Sequence, residues 1–240
     1  MSSQPQSGQS QSQILRIYTA LCQLRPIWAS NLILSLGLDS EGVALPIAAN
    51  IAGAVSLTID HDSTHLREVA RSGACDFVVN TLDEAIRAMK NEIRKGAPLS
   101  VALNADPEPA LEEILERGLA PQLFASFLPR TLHITEAASG LQSLGTTLVD
   151  FREDELSPAF RNSAFLLAPL LRSKGWSLHT VTFDTLADLR AFDTRAFSLL
   201  DEQDTVRRRW LQAAPRILPR QQPPVRSLWL TVEEAHTLTP

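Results

Sequence analysis

The chain has 240 residues, of which 44% are apolar and 20% charged, and a net charge of −5. This length can bury the core of one large domain or two smaller ones, and the acidic balance argues against a general nucleic-acid binder. Cys22 and Cys75 are too few for a disulfide framework and predict a reducing, cytoplasmic setting. No apolar stretch is long enough to span a bilayer.

The amino-terminal residues are polar and carry neither the basic start nor the apolar run of a signal peptide. We therefore expect residues 1–12 to form a disordered tail. Apolar residues with helical spacing follow and predict a helix over Ile14–Ile27 that stops at Pro26.

Strands and helices then alternate. The predicted strands are Leu32–Leu36, Val55–Asp60, Cys75–Val79, Leu99–Leu103 and Gln122–Ala125. The predicted helices between them are Val43–Ala54, Ser63–Ser72, Thr81–Lys95 and a helix that Asp106 caps, Pro107 opens and Gly118 ends. This alternation predicts an α/β domain over residues 13–128, Rossmann-like, with a mostly parallel sheet covered by helices on both faces.

Residues 129–240 are expected to form a smaller α/β domain. Pro129–Leu144 is interpreted as a connection. The predicted strands are Thr147–Phe151, Trp176–Phe183 and Arg226–Leu230. The predicted helices are Ser157–Lys174, with a kink at Pro169, followed by Thr185–Leu199 and Asp204–Leu218. Thr231 and Glu234 are expected to cap a short last helix. Pro219–Pro224 is a cluster of chain breakers.

The segment Asn31–Asp60 has the order of a phosphate-binding unit: a strand, a polar turn, a helix of small residues and a second strand that ends in an acid. Gly42 is the glycine of the turn at which a phosphate would be bound. Asp60 lies where an acid would bind the hydroxyl groups of a ribose.

Five blocks in this region carry a resemblance to a known family: LPIAANIAG, SLTID, RSGACDFVVNTLDEA, RKGAPLSVALNA and ILERGLAPQLF. In order and spacing they resemble the central NAD-binding domain of urocanase (urocanate hydratase) over Leu45–Ala125. The resemblance implies a Rossmann-like fold, with Asp60 in place of the ribose-binding Glu and with Arg67 kept. Gly42 and Asn104 stand in the two turns that line the cofactor crevice in that family.

The chain departs from the family in its loops. The GMGGAQP turn of urocanases is Ser40–Pro46 here and keeps one glycine of three; Glu41 adds a negative charge and Val43 adds bulk. The family's GNA turn begins at Asn104, its TDQTSAHD block becomes Ala125–Leu132 without the polar residues, and its catalytic cysteine region has no counterpart. We therefore expect the fold to be retained without the hydratase activity.

Two functions remain open. The first is a urocanase-like binding or assembly module, as a homodimer, with no cofactor. The second is an enzyme or sensor that binds NAD or another nucleotide at the carboxyl ends of the strands through Gly42, Asp60, Arg67 and Asn104.

Other candidate sites have a structural alternative. His61 and His65, with Asp60 and Asp62, could bind a metal ion, but Asp62 and Ser63 also suit a helix cap. Cys22 and Cys75 are interpreted as core residues, and Ser35, Ser126 and Ser143 lack a hydrolase context. Six arginines follow Thr205 without an intervening acid: Arg207, Arg208, Arg209, Arg216, Arg220 and Arg226. They indicate either an anion-binding surface or a solvated helix face. Some of them are expected to pair with Asp201, Glu202 and Asp204.

Overall fold

The computed structural model describes residues 7–152, 159–217 and 223–238. The strands are β1 (Leu32–Leu36), β2 (Val55–Asp60), β3 (Phe77–Val79), β4 (Leu99–Asn104), β5 (Leu123–Ser126), β6 (Thr147–Asp150), β7 (Arg161–Asn162), β8 (Ser177–Thr182) and β9 (Val225–Leu230). The helices are α1 (Ser7–Leu24), α2 (Ala44–Ala52), α3 (Ser63–Ser72), α4 (Leu82–Lys95), α5 (Pro107–Glu116), α6 (Leu132–Ser143), α7 (Ser163–Lys174), α8 (Leu186–Leu199), α9 (Thr205–Ile217) and α10 (Val232–Leu238).

Seven strands form one parallel sheet in the order β3-β4-β2-β1-β5-β6-β7, and β8 pairs with β9 in a separate antiparallel sheet. The predicted α/β, Rossmann-like fold with a smaller carboxyl-terminal α/β part is confirmed. Strands β2, β3 and β4 lie on one side of β1, and β5, β6 and β7 lie on the other. The topological switch point, where such sheets bind ligands, therefore lies between β1 and β5.

Helices cover both faces of the parallel sheet. Helices α4, α5 and α6 bury their apolar residues on one face with Leu34, Leu57 and Val101, and α1, α2 and α3 lie on the other. The second face carries small side chains such as Ser35 and Thr58, whose hydroxyl oxygens are 2.8 Å apart. Helix α2 is itself rich in buried alanine, which allows the close helix–sheet approach that the sequence predicts.

Local capping signals are realised as expected. Thr81 and Glu84 form a capping box at the start of α4, Asp106 caps α5 with Pro107 in its first turn, and Asp62 caps α3. These caps satisfy backbone N–H groups that a helix leaves without partners. Thr231 and Glu234 exchange the same pair of bonds at α10.

The amino terminus differs from the expected disordered tail. Helix α1 begins at Ser7, and Gln11 is fully buried against β9, where its side-chain amide donates to Val225 O and accepts from Ser227 N. The side-chain amide of Gln11 thus bonds to backbone groups of β9 that a neighbouring strand could otherwise use. Residues 1–6 lie outside the described residues.

The sheet also continues past the expected domain boundary at residue 128. The segment interpreted as a connection contains α6, whose buried residues cover the sheet, and β6 and β7 extend that sheet beyond β5. Helix α7 begins at Ser163, capped by Asn162, rather than at Ser157 and Pro158, which lie outside the described residues. Most of the breaker cluster, through residue 222, also lies outside them.

Helix α1 joins the two sheets, because it packs against both α2 and β9. Trp229 of β9 donates its indole N–H to Thr19 of α1. None of the helices in the described ranges is long and apolar enough to cross a membrane.

Candidate functional site

The candidate residues lie at one edge of the parallel sheet, the carboxyl edge, where its strands end. Asp60 ends β2 and pairs in register with Asn104 at the end of β4. Gly42 lies in the loop between β1 and α2, and Arg67 lies on α3. The sequence predicts that each of these two residues lies at the end of a strand, and the structure makes the two strand ends neighbours.

The loop between β1 and α2 is held by a carboxylate of its own. Asp39 Oδ1 accepts hydrogen bonds from the backbone N–H groups of Gly42 at 2.7 Å and Glu41 at 3.1 Å. These amides lie in the turn just before α2, close to the position at which a phosphate loop binds its anion. The side chain of Asp39 thus occupies the donors that a diphosphate would need. Glu41, expected to repel a phosphate, is exposed.

Gly42 is required by the turn itself. It is buried, and a Cβ at this position would overlap the carbonyl oxygen of Gly37. The surviving glycine is therefore explained by close approach of two backbone segments within the loop. Its presence does not by itself indicate a bound ligand.

Asp60 is buried, with 3% of its surface exposed, and both of its oxygens are occupied. Oδ2 accepts from Leu38 N at 2.6 Å and lies 3.0 Å from His65 Nδ1, and Oδ1 accepts from Asp62 N at 2.7 Å. A carboxylate that binds a ribose must offer an oxygen to the sugar hydroxyl groups. Here the carboxylate joins the loop after β1, the loop after β2 and helix α3.

His65 completes this arrangement. Its partial burial lowers the pKa of the imidazole, but the hydrogen bond and charge of Asp60, with the charges of Asp62 and Asp39, outweigh burial and raise that pKa above its ordinary value. The protonated ring is thus favoured beside Asp60. The side chain of His65 is 35% exposed, so its other nitrogen can reach solvent.

The side chains of Arg67 and Asn104 do not hydrogen-bond to the carboxylate of Asp60. The guanidinium of Arg67 is exposed and donates to Ser63 O at 2.9 Å within its own helix. The amide of Asn104 donates to Asn80 Oδ1 at 3.0 Å, across the end of β3. Both side chains remain at the carboxyl edge without converging on one point.

The switch point itself is filled by apolar side chains. The residues that follow β1, β5 and β6 include Leu38, Phe127 and Phe151, all less than 8% exposed, and the two phenyl rings stack with centroids 6.5 Å apart. A Cβ at Gly37 would lie 3.2 Å from the side chain of Leu128. The loops after β1 and β5 are thus packed against each other where a Rossmann crevice would open.

The cysteines and histidines do not form a further site. Burial, followed by the charge of Asp76, raises the pKa of the Cys75 thiol to about 12, and burial also raises the pKa of Cys22, which fits the core role predicted for both. Within the described ranges, no three His, Cys, Asp or Glu residues are grouped to hold a metal ion. His65 is instead a partner of Asp60.

The arginines after Thr205 whose side chains are described bond to groups of the protein, although Arg209 is exposed. Arg207 is 5% exposed, pairs with Asp204 and Glu234, and lies 4.4 Å from the ring centroid of Trp176. Arg226 is 2% exposed and makes two 2.7 Å bonds to Asp193. The expected pairing with Asp204 is confirmed at Arg207.

The other two described arginines bond to backbone. Arg208 donates to Leu200 O at 3.0 Å and stacks on Phe197, and Arg209 donates to Ala52 O at 3.2 Å. Both guanidinium groups therefore connect α9 to neighbouring helices. The side chains of Arg216 and Arg220 lie outside the described residues.

Sequence reasoning missed Asp39 and the apolar residues at the switch point. Asp39 stands three residues before Gly42, a spacing at which an acid accepts bonds from the start of a helix, and this signal was available. Phe127 and Phe151 each follow a strand, but their convergence requires the strand order. The sequence did identify Asp60, but its partners are two backbone N–H groups and the side chain of His65.

A family model described as the urocanase Rossmann-like domain matches residues 20–129. The match begins in α1, spans β1 to β5 with the helices between them, and ends within the loop that follows β5. It includes Gly42, Asp60, Arg67 and Asn104, together with Asp39, Leu38 and Phe127, and leaves Phe151 outside. Residues 20–129 of this chain are thus similar to the Rossmann-like domain of urocanase.

Proposed function

We propose that this protein is a urocanase-like binding or assembly module that has lost the dinucleotide site of its family and does not hydrate urocanate. The observation that carries the proposal is the bond from Gly42 N to Asp39 Oδ1, because it occupies the donor on which a diphosphate would depend. A ligand would have to displace a carboxylate that the chain itself supplies.

Two further features support the proposal. Both oxygens of Asp60 are bonded to Leu38 N, Asp62 N or His65, so a ribose would have to break bonds that hold two loops. Phe127 and Phe151 are buried where the ligand would cross the sheet. A buried acceptor that loses its partners costs about 1–3 kcal/mol, which a weak ligand does not recover.

Isothermal titration of the full chain with NAD⁺, NADH and ATP tests the proposal. We expect no binding in the micromolar range. The matched variant Asp39→Ala frees the amides of Glu41 and Gly42 while leaving Asp60 in place. Micromolar binding of any of the three nucleotides by the wild-type chain would overturn the proposal, whatever the variant does.

A nucleotide-binding enzyme or sensor is the second candidate, and one arrangement favours it. Asp60 and Asn104 lie in register at adjacent strand ends, and Asn104 and Arg67 are exposed at the same edge. An anionic or nucleotide ligand could reach these two side chains from solvent, with NAD as the family's cofactor.

A thermal-shift screen against a broad set of nucleotides separates the two candidates. If the second is correct, one nucleotide raises the melting temperature, and Asp60→Ala abolishes the rise. Since Asp60→Ala also removes structural bonds, Arg67→Ala provides a variant at an exposed side chain. No rise with any nucleotide removes the second candidate.

A further inference from the structure

We propose that a cavity at the amino edge of the parallel sheet binds a small organic molecule that carries one carboxylate and an apolar body. The amino edge is where the strands begin, opposite the strand ends that carry Asp60 and Asn104. Arg209 of α9 would bind the carboxylate. The inference goes beyond the proposed function, which concerns the carboxyl edge.

The amino-edge cavity has a volume of about 320 Å³ and is lined by separate segments of the chain. Residues 27–29 precede β1, residues 50–53 end α2, and Gly96 and Pro98 precede β4. Arg209 completes the lining and lies beyond residues 20–129, which match the urocanase domain. The volume is at the lower end of the range for ligand pockets, so it favours a small ligand.

Most of the cavity wall is apolar. It includes Ile27, Trp28, Ile51 and Pro98. The indole N–H of Trp28 donates to Leu21 O at 2.8 Å, which fixes the ring in the wall. Ile27 is 68% exposed although it belongs to this wall. A ligand with an apolar body would remove such surfaces from water, which favours binding.

Arg209 supplies the positive charge of the cavity. Its guanidinium is exposed and makes one hydrogen bond to the described residues, from Nη1 to Ala52 O at 3.2 Å. Arg207 and Arg226, by contrast, are buried and pair with carboxylates of the protein. A guanidinium has five N–H donors, so most of those of Arg209 are available to a ligand.

The polar groups of the cavity offer donors and no negative charge. None of its lining residues is acidic. The carbonyl groups of Ala49, Asn50 and Ala52 already accept bonds from Gly53 N or Arg209. The side-chain amide of Asn50 makes no hydrogen bond within the described ranges and is half-buried. One guanidinium matches one carboxylate, which it can bind through two parallel bonds, whereas a phosphate would bring a second charge without a partner.

Amide chemical shifts of the full chain in NMR spectra test the cavity. The probes are benzoate, phenylacetate and indole-3-acetate, each compared with its neutral amide and with inorganic phosphate. We expect at least one carboxylate to shift the amides of residues 50–53 and Gly96 saturably. Its neutral amide and phosphate should not. No saturable shift in the millimolar range, or equal shifts with the neutral amide or with phosphate, would overturn the proposal.

Substitution of Arg209 tests the role of its charge. Arg209→Gln should weaken binding of the carboxylate at least about tenfold, and Arg209→Lys should restore part of the affinity. Arg208→Gln is the matched control, because Arg208 also bonds to a backbone carbonyl group of a neighbouring helix but does not line the cavity. Equal weakening in Arg208→Gln and Arg209→Gln would refute the role of Arg209.

A variant of Asn50 keeps the cavity testable if Arg209→Gln does not fold. Asn50→Asp preserves the size of the side chain and the bond from Arg209 to Ala52 O, but adds a negative charge to the wall. Binding of the carboxylate should be lost. Asn91→Asp, on an exposed position of α4, should bind as the wild type does. Unchanged binding in Asn50→Asp would overturn the site.

The outcome is separate from that of the proposed function. The nucleotide titrations above concern Gly42 and Asp60 at the carboxyl edge, whereas these shifts concern residues at the amino edge. Failure of one proposal therefore leaves the other standing.

Discussion

The carboxyl edge of the parallel sheet and the small antiparallel sheet both place charge inside the protein, and they neutralise it differently. At the carboxyl edge, Asp60 is satisfied mainly by backbone N–H groups. Beside β9, Arg207 and Arg226 are satisfied by carboxylates of neighbouring helices. The first arrangement resembles an anion site closed by protein groups, and the second is an ion-pair scaffold.

The two regions use buried charge for different purposes. Amides that point at an anion belong to a phosphate-loop geometry, and here Asp39 and Asp60 provide the anionic groups. Nothing similar is needed near β9, where the ion pairs hold helices to a two-stranded sheet that is too small to be stable alone. The carboxyl edge therefore keeps the form of a ligand site, while the other region uses charge for stability.

The largest effect is expected at the ion-pair scaffold. Arg226→Ala leaves Asp193 without its cation in a buried setting and should lower the free energy of unfolding by about 3–5 kcal/mol. Urea denaturation measures the loss. The exposed pair of Arg117 and Asp83 provides the control, because Arg117→Ala should change the stability little. Equal losses in the two variants would contradict a scaffold based on buried charge.

A smaller loss is expected at the loop of the carboxyl edge. Gly42→Ala forces a methyl group against the carbonyl of Gly37 and should cost about 1–3 kcal/mol. Gly140→Ala in α6 is the control, since its new methyl group would meet only the side chain of Leu115. If Gly42→Ala were as stable as wild type in thermal unfolding, the backbone contact would not explain the glycine.

The pH dependence of stability tests the pair of His65 and Asp60. Because the folded-state pKa of His65 is raised, protonation stabilises the fold; the contribution is full below the unfolded pKa and is lost as the pH rises through the folded pKa. The advantage of wild type over His65→Asn should therefore shrink from acidic to alkaline pH. Urea denaturation at several pH values measures this difference in stability. A difference that grows with pH would refute a raised pKa for His65.

The smallest effect is expected at a buried hydroxyl beneath α2. Ser56 is fully buried, and its Oγ has no hydrogen-bond partner among the described residues. Ser56→Ala should be neutral or slightly stabilising, whereas Thr58→Val breaks the bond to Ser35 and should cost about 1 kcal/mol. Calorimetry measures the thermal stability of both variants. A marked loss of stability in Ser56→Ala would mean that the hydroxyl group of Ser56 does have a hydrogen-bond partner, contrary to the structure.

The sequence by itself determined the alternation of strands and helices, the small-residue character of α2 and the caps at Thr81 and Asp106. It also placed Asp60 and Asn104 at strand ends and revealed the resemblance that the family match bears out. These features depend on residues a few positions apart, because periodicity and capping act within one or two turns of the chain.

Only the tertiary structure decided the strand order, with β4 between β2 and β3, and the extension of the sheet by β6 and β7. It also decided that Gln11 bonds the edge of β9, 214 residues away, and that Asp60 bonds Leu38 instead of remaining free for a sugar. These outcomes depend on which distant segments meet. A pattern read along the chain shows that a carboxylate stands at a strand end, and only packing shows what it binds.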